Sequence, residues 1–129
     1  MFNVVAVDDC PIMQKILQET FLDDQSLKVS IFSCGRDAVE YVTNNMVDLF
    51  IIDWHMPNYA GKQLLQDLRS INRYEDTPII ILSGDEALDL KLEAKYLGAT
   101  EWFVKPFDPQ LLNKFIHKIE SVQSIIHSI

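Results

Sequence analysis

Five short apolar runs, Asn3 to Val7, Lys28 to Phe32, Leu49 to Ile52, Pro78 to Leu82 and Glu101 to Val104, alternate along the chain with stretches whose apolar residues recur every three or four positions. The short runs predict strands and the periodic stretches predict amphipathic helices, so the alternation predicts a parallel sheet covered by helices. The runs at Leu49 and Ile79 are apolar throughout, as central strands buried on both faces should be. No internal repeat, low-complexity tract or linker interrupts the pattern.

The first helix is expected to open with Pro11, whose fixed φ and missing N–H suit a first turn, and to bury Ile12, Ile16, Leu17, Thr20 and Phe21. The second follows Gly35 and carries Ala38, Val39 and Val42. The third runs from about Ala60 and buries Leu64, Leu65, Leu68 and Ile71. The fourth spans Glu86 to Leu97 and is stopped by Gly98, and the fifth starts at Pro109 and continues to or near the end.

A chain of 129 residues with 48% hydrophobic positions suffices for one domain with a real core. Eleven Lys and Arg against nineteen Asp and Glu give a formal net charge of -8, which disfavours direct contact with nucleic acid or an anionic membrane. No apolar run approaches the ~20 residues of a bilayer-spanning helix, and no signal segment opens the chain, so it reads as soluble and cytoplasmic. Cys10 and Cys34 are too few for a disulfide framework and lack metal-ligand spacing; reduced thiols are expected, with Cys10 a small helix-start residue.

In an open parallel α/β sheet the functional crevice lies outside the C-terminal ends of the strands. The residues there are Asp8 and Asp9 after the first run, Asp53 after the third, Ser83 and Gly84 after the fourth, and Lys105 with Pro106 after the fifth. Three neighbouring carboxylates repel one another unless something compensates, and a hard divalent cation does so most simply. Mg²⁺ takes oxygen ligands and is typically held by one or two carboxylates plus phosphate oxygens. Asp9 and Asp53 suit direct ligation, with Asp8 acting through a water. An ammonium at Lys105 can neutralise transferring phosphoryl oxygens, a hydroxyl at Ser83 can bond another, and Asp53 beside the metal is the natural nucleophile. Any one acidic strand end is more simply a turn or cap residue. The joint placement of all five at one edge is what points to a metal-phosphate site.

These residues resemble the receiver domain of two-component response regulators, of the chemotaxis-receiver type. The resemblance spans about residues 3 to 120 and rests on Val7-Asp8-Asp9, Asp53-Trp54-His55-Met56-Pro57 with Gly61, Leu82-Ser83-Gly84, Gly98-Ala99 and Lys105-Pro106-Phe107. It implies a flavodoxin-like (βα)5 three-layer sandwich with a five-stranded parallel sheet of order 2-1-3-4-5. It implies that Asp53 accepts a phosphoryl group from a phosphohistidine on a sensor histidine kinase or histidine phosphotransfer protein. Asp8, Asp9, Asp53 and the backbone carbonyl of His55 would bind Mg²⁺. Ser83 and the aromatic Trp102 would form the switch, and the side chains of His55 and Asp85 would flank the phosphoryl group and tune its hydrolysis. The Lys105–Pro106 bond is expected to be cis. Trp102 stands where Tyr or Phe is usual. Self-catalysed phosphorylation and dephosphorylation, rather than turnover of a separate substrate, is the implied chemistry.

Two other functions use similar residues. A haloacid-dehalogenase-like phosphatase needs an Asp-x-Asp pattern after the first strand, and Asp8-Asp9-Cys10-Pro11 lacks it. A phosphate-independent pseudo-receiver sits poorly with a complete acidic, hydroxyl and lysine set. Output is expected from the surface of the fourth helix, fifth strand and fifth helix, or from an effector domain on a longer chain. The fourth helix carries a core stripe at Ala87, Leu90, Ala94 and Leu97 and a second apolar line at Leu88, Leu92 and Tyr96. On the fifth, Leu112, Phe115, Ile119, Val122, Ile126 and Ile129 follow coiled-coil spacing, and residues 121–129 read as an extension beyond a receiver of residues 1–120. Val122, Ile125, Ile126 and Ile129 would then be exposed in a monomer and offer a homodimer seam. His117 and His127 are expected at the surface.

Overall fold

In the computed structural model, which describes residues 1–127, β1 (Phe2–Val7), β2 (Leu27–Phe32), β3 (Leu49–Asp53), β4 (Ile79–Ser83) and β5 (Glu101–Val104) pair as one parallel sheet in the order β2-β1-β3-β4-β5. The helices between them are α1 (Pro11–Phe21), α2 (Gly35–Asn44), α3 (Gly61–Arg69), α4 (Leu88–Tyr96) and α5 (Pro109–His127). This is the parallel sheet expected from the alternation, in the flavodoxin-like order that the resemblance implies, with β3 and β4 buried at every position.

Alternate strand residues supply two separate cores, as the two-residue period of a pleated strand requires. Val5, Val7, Phe50, Ile52, Ile79 and Ile81 pack with Val42 of α2, Leu64, Leu65 and Leu68 of α3 and Ala94 of α4. Val4, Ala6, Leu49, Ile51, Ile80 and Leu82 pack with Leu17 and Phe21 of α1 and Leu112 and Ile116 of α5. Three layers result, and every strand delivers its last residue to the same edge.

Several local expectations are corrected. The inward row of α1 is Met13, Leu17 and Phe21; Ile12, one residue before that row and about 100° around the helix, is 73% exposed. Thr20 is only half-buried, its hydroxyl donating to the Ile16 carbonyl. Helix α3 ends at Arg69, so Ile71 lies outside it and leads into a 3-10 turn at Asn72–Tyr74 that periodicity did not reveal. That turn buries Tyr74, whose hydroxyl donates to the carbonyls of Val42 and Asn45 at 2.8 and 2.6 Å. Helix α4 is shorter than expected, starting at Leu88.

Gly98 ends α4 as expected, with φ of 108°, and its carbonyl accepts from Arg69 Nε and Nη2 at 3.1 and 2.6 Å. Arg69 Nη1 also donates to the Tyr74 and Thr77 carbonyls at 2.7 and 2.6 Å, fastening the end of α3 to the approaches of β4 and β5. Val122, Ile125 and Ile126 of α5 are exposed, while Leu112, Phe115, Ile116 and Ile119 face the sheet. Ile129 lies outside the described residues.

Candidate functional site

Strand register determines what meets at the C-terminal edge. Val7 pairs with Ile52, Asp53 with Leu82, and Ser83 with Val104, so Asp8, Asp53, Ser83 and Lys105 all lie within one residue of the end of adjacent strands. Asp53 and Ser83 are the final residues of β3 and β4 rather than the first of the following loops.

Asp8 is fully buried and Asp53 nearly so, at 0% and 5% exposure. Charges removed from water this far need partners. Asp8 Oδ1 accepts from the Cys10 N–H at 2.9 Å, and its Oδ2 accepts from Lys105 Nζ at 3.0 Å. Asp53 Oδ1 accepts from the His55 N–H at 3.2 Å and lies 3.4 Å from Lys105 Nζ. One ammonium therefore bridges both buried carboxylates. The Lys105–Pro106 bond is cis, as expected, and the Lys105 N–H donates to the Ser83 carbonyl at 2.8 Å.

Asp9 is exposed at the mouth of the cluster. Oxygens of Asp8, Asp9 and Asp53 all come within 4.8 Å of one another, a spacing suited to one oxygen-coordinated cation. Burial raises the Asp53 pKa above the ordinary carboxylate range, and the charge of Asp8 adds to the rise; Lys105 and the His55 N–H pull the other way without cancelling it. For Lys105, burial works to lower the pKa, but bonding to Asp8 and the charges of Asp8 and Asp53 outweigh it and the pKa is raised. The site thus carries an uncompensated excess of negative charge around a firmly protonated lysine.

Ser83 is fully buried, and its hydroxyl accepts from the Asp85 N–H at 3.0 Å, which leaves its own proton free to donate. The Asp85 carboxylate accepts from the Ala87 N–H at 2.8 Å and so organises the turn into α4. Its carbonyl accepts from Trp102 Nε1 at 3.1 Å, linking β5 to the loop that follows Ser83. The His55 ring is exposed.

Three sets of contacts were not evident from the sequence, the first two at the site and the third away from it. Gln14 Nε2 donates to the Asp8 carbonyl at 2.6 Å, a contact across the Asp8–Pro11 turn with no sequence signal. Trp54 and Trp102 pack with ring centroids 5.5 Å apart, and parity could have found this pair, since the Asp53–Leu82–Phe103 row places both on the same sheet face. His117 is a surface residue, but its ring is engaged: Nε2 lies 2.5 Å from Asp24 and Nδ1 3.1 Å from Glu120. Cys10 and Cys34 are free thiols.

A buried acidic pair bridged by lysine, with a third carboxylate and a hydroxyl at the ends of a 2-1-3-4-5 sheet, has a direct counterpart among known proteins. The family model for the response regulator receiver domain matches residues 4–117. The chain belongs to that family. The chemotaxis protein CheY of Pseudomonas aeruginosa is 28% identical over 117 residues, which cover 91% of this chain and 94% of that protein. A CheY homolog of Campylobacter jejuni is 32% identical over 121 residues, covering 93% and 91%. The crystallised CheY4 of Vibrio cholerae superposes with a TM-score of 0.85 at 33% identity, over 92% of this receiver and 98% of that chain. The receiver domain of the Pseudomonas aeruginosa sensor histidine kinase PA1611, whose structure has a magnesium ion in its active site cleft, shares the fold with a TM-score of 0.80 at 19% identity, over 91% and 95% of the two chains.

This chain is therefore a receiver domain of two-component response regulators, a phosphoacceptor signalling module rather than an enzyme with a separate substrate. Receiver domains interact with histidine kinases and bind Mg²⁺ in their acidic site. Among the described residues, no helix is long and apolar enough to cross a membrane.

Proposed function

We propose that Asp53 is the phosphoacceptor of this receiver and that Asp8, Asp9, Asp53 and the His55 carbonyl are its Mg²⁺ ligands. The observation that carries the reading is the Lys105 ammonium held 3.4 Å from Asp53 Oδ1 and 3.0 Å from Asp8 Oδ2 in a cluster whose remaining charge is negative. In the step proposed, a carboxylate oxygen of Asp53 attacks phosphorus, the P–N bond of a phosphohistidine breaks, and the departing imidazole takes up a proton. Lys105 holds charge on the transferring oxygens, and the free proton of Ser83 is available to a further one. When bound, Mg²⁺ would screen the phosphoryl oxygens from the carboxylates that surround them.

In this proposal phosphorylation and hydrolysis proceed on the receiver's own residues, with the donor a sensor kinase or phosphotransfer protein in the cytoplasm. Ser83, Asp85 and Trp102 form one hydrogen-bonded chain, which supports a switch in which movement of the Ser83 hydroxyl is passed to the α4 face. The His55 ring, beside the nucleophile and exposed, is proposed to tune hydrolysis together with Asp85. The exposed Leu88, Leu92 and Tyr96 of α4 support that face as the output surface, and the exposed end of α5, beyond a receiver of residues 1–120, is proposed as a site of self-association. Incubation with Mg²⁺ and acetyl phosphate tests the core of the reading: covalent phosphate should appear on the wild-type chain by intact mass and be lost in Asp53→Asn. Equal labelling of both would overturn it.

A further inference from the structure

The loop between β3 and α3 carries His55, and its far end is braced by the Tyr59 side chain. Tyr59 lies with its ring against Gly35 at the start of α2, so close that a Cβ at position 35 would stand 2.6 Å from Tyr59 Cδ1. Its hydroxyl donates to Asp67 Oδ2 on α3, and Gln63 Nε2 holds the other oxygen of that carboxylate at 2.9 Å. Tyr59 therefore ties the loop to two helices at once. At the near end the loop is equally constrained: Met56 is buried in the α2/α3 core, the Gly61 N–H donates to the Trp54 carbonyl at 3.1 Å, and a Cβ at Gly61 would fall 2.3 Å from the Asp53 carbonyl. Between these anchors a cleft of about 90 Å³ opens beside Asp9, walled by Gly35, Met56 and Tyr59.

Metal affinity depends on outer groups that hold a ligand in place, and a backbone carbonyl has no rotamer of its own to adjust. We infer that Tyr59 is a positioning residue for cation binding: its ring on Gly35 and its hydroxyl on Asp67 hold the β3–α3 loop in the conformation from which the His55 carbonyl would join the Asp8, Asp9 and Asp53 oxygens on a bound cation. The inference rests on the proposed ligand set. Nothing in the bond to Asp67 requires a charge, since an amide oxygen at position 67 accepts from the same hydroxyl.

Mg²⁺ titration of the full chain, followed by tryptophan fluorescence and paired with thermal unfolding in EDTA, tests it. Asp9→Asn reports on the ligand set and should bind Mg²⁺ far more weakly than wild type. Tyr59→Phe and Asp67→Ala should each weaken binding by about threefold to tenfold while unfolding near the wild-type midpoint. Asp67→Asn, which keeps an acceptor, should bind within about twofold of wild type. Wild-type affinity in both Tyr59→Phe and Asp67→Ala, with Asp9→Asn impaired, would overturn the role of Tyr59 and leave the ligand set standing. Wild-type affinity in Asp9→Asn would overturn the ligand set, and the inference with it. Should Tyr59→Phe fail to fold, Asp67→Ala and its Asn rescue carry the test alone.

Discussion

Asp53→Asn should make the metal-free receiver more stable, because the folded site holds that carboxylate charged against its environment. At an effective dielectric constant of about 20, carboxylate oxygens within 4.8 Å repel by at least ~3.5 kcal/mol per pair, and an ammonium at 3.4 Å attracts by ~5 kcal/mol. Asp9 is exposed and its share is weakened by solvent, so repulsion and attraction nearly cancel. What remains is the cost of holding a 5%-exposed charge away from water, a net penalty of roughly 1–2 kcal/mol. The amide keeps an oxygen for the His55 N–H and Lys105. For a chain of 129 residues the gain corresponds to about 4–7 °C in Tm. The raised pKa of Asp53 sets the sign with pH: the folded state binds its proton more readily than the unfolded chain, so wild type gains on the variant as pH falls through the folded pKa. The advantage of Asp53→Asn is therefore full at neutral pH and vanishes once both states are protonated. Saturating Mg²⁺ should reverse the order, because wild type gains ~2.7 kcal/mol at a hundred times its Kd and the variant gains less. Urea unfolding at neutral and acid pH, in EDTA and in Mg²⁺, measures all three comparisons. An Asp53→Asn chain less stable than wild type at pH 7 in EDTA would mean that the buried Asp53 charge carries no net penalty in the metal-free fold.

Arg69→Met should cost about 2–4 kcal/mol, since it leaves the carbonyls of Gly98, Tyr74 and Thr77 without a charged donor at a half-buried junction, and equilibrium urea unfolding checks it. His117→Gln should destabilise by at most ~1 kcal/mol, because the pairs with Asp24 and Glu120 are only half-buried and the imidazole stays open to solvent screening. The His117 pKa is raised, burial opposing but Asp24 and Glu120 prevailing, so that loss is full below the ordinary His value and disappears as pH rises through the folded pKa. At the acid end, Asp24 has a lowered pKa: burial raises it, but the bonds from Ser26 and His117 dominate, so the pair weakens again as pH falls through that value. Thermal melts of both chains from mildly acid to alkaline pH follow the whole window.

The parallel sheet and the meeting of Asp8, Asp9, Asp53, Ser83 and Lys105 at one edge of it were legible from the apolar runs and the residues that follow each, whereas the order 2-1-3-4-5 was implied only by the family motifs, because alternation does not say which strands are neighbours. Ile12 was misplaced because one residue of helical phase turns a side chain from core to solvent, and the first turn of α1 contains too few apolar positions to set that phase. Ile71 and the buried Tyr74 escaped because a 3-10 turn has no extended period; its burial is made possible by hydroxyl bonds to Val42 and Asn45, some thirty residues earlier. The same limit hid the partners of His117 and the brace at Tyr59. The His117–Asp24 pair and the contacts of Tyr59 with Gly35 and Asp67 join different elements through side-chain geometry, which no spacing rule reports; only His117–Glu120, three residues apart on α5, follows helical spacing.

The position of the phosphoryl group, assigned to Asp53, can be read directly. Phosphorylating the full chain with Mg²⁺ and a phosphohistidine donor, reducing the acyl phosphate with borohydride and mapping the product by peptide mass spectrometry reads the acceptor directly. Conversion of position 53 to homoserine, with Asp8 and Asp9 unmodified, is the predicted result. Homoserine at Asp8 or Asp9 with Asp53 intact, or stable phosphate on a hydroxyl, would contradict it.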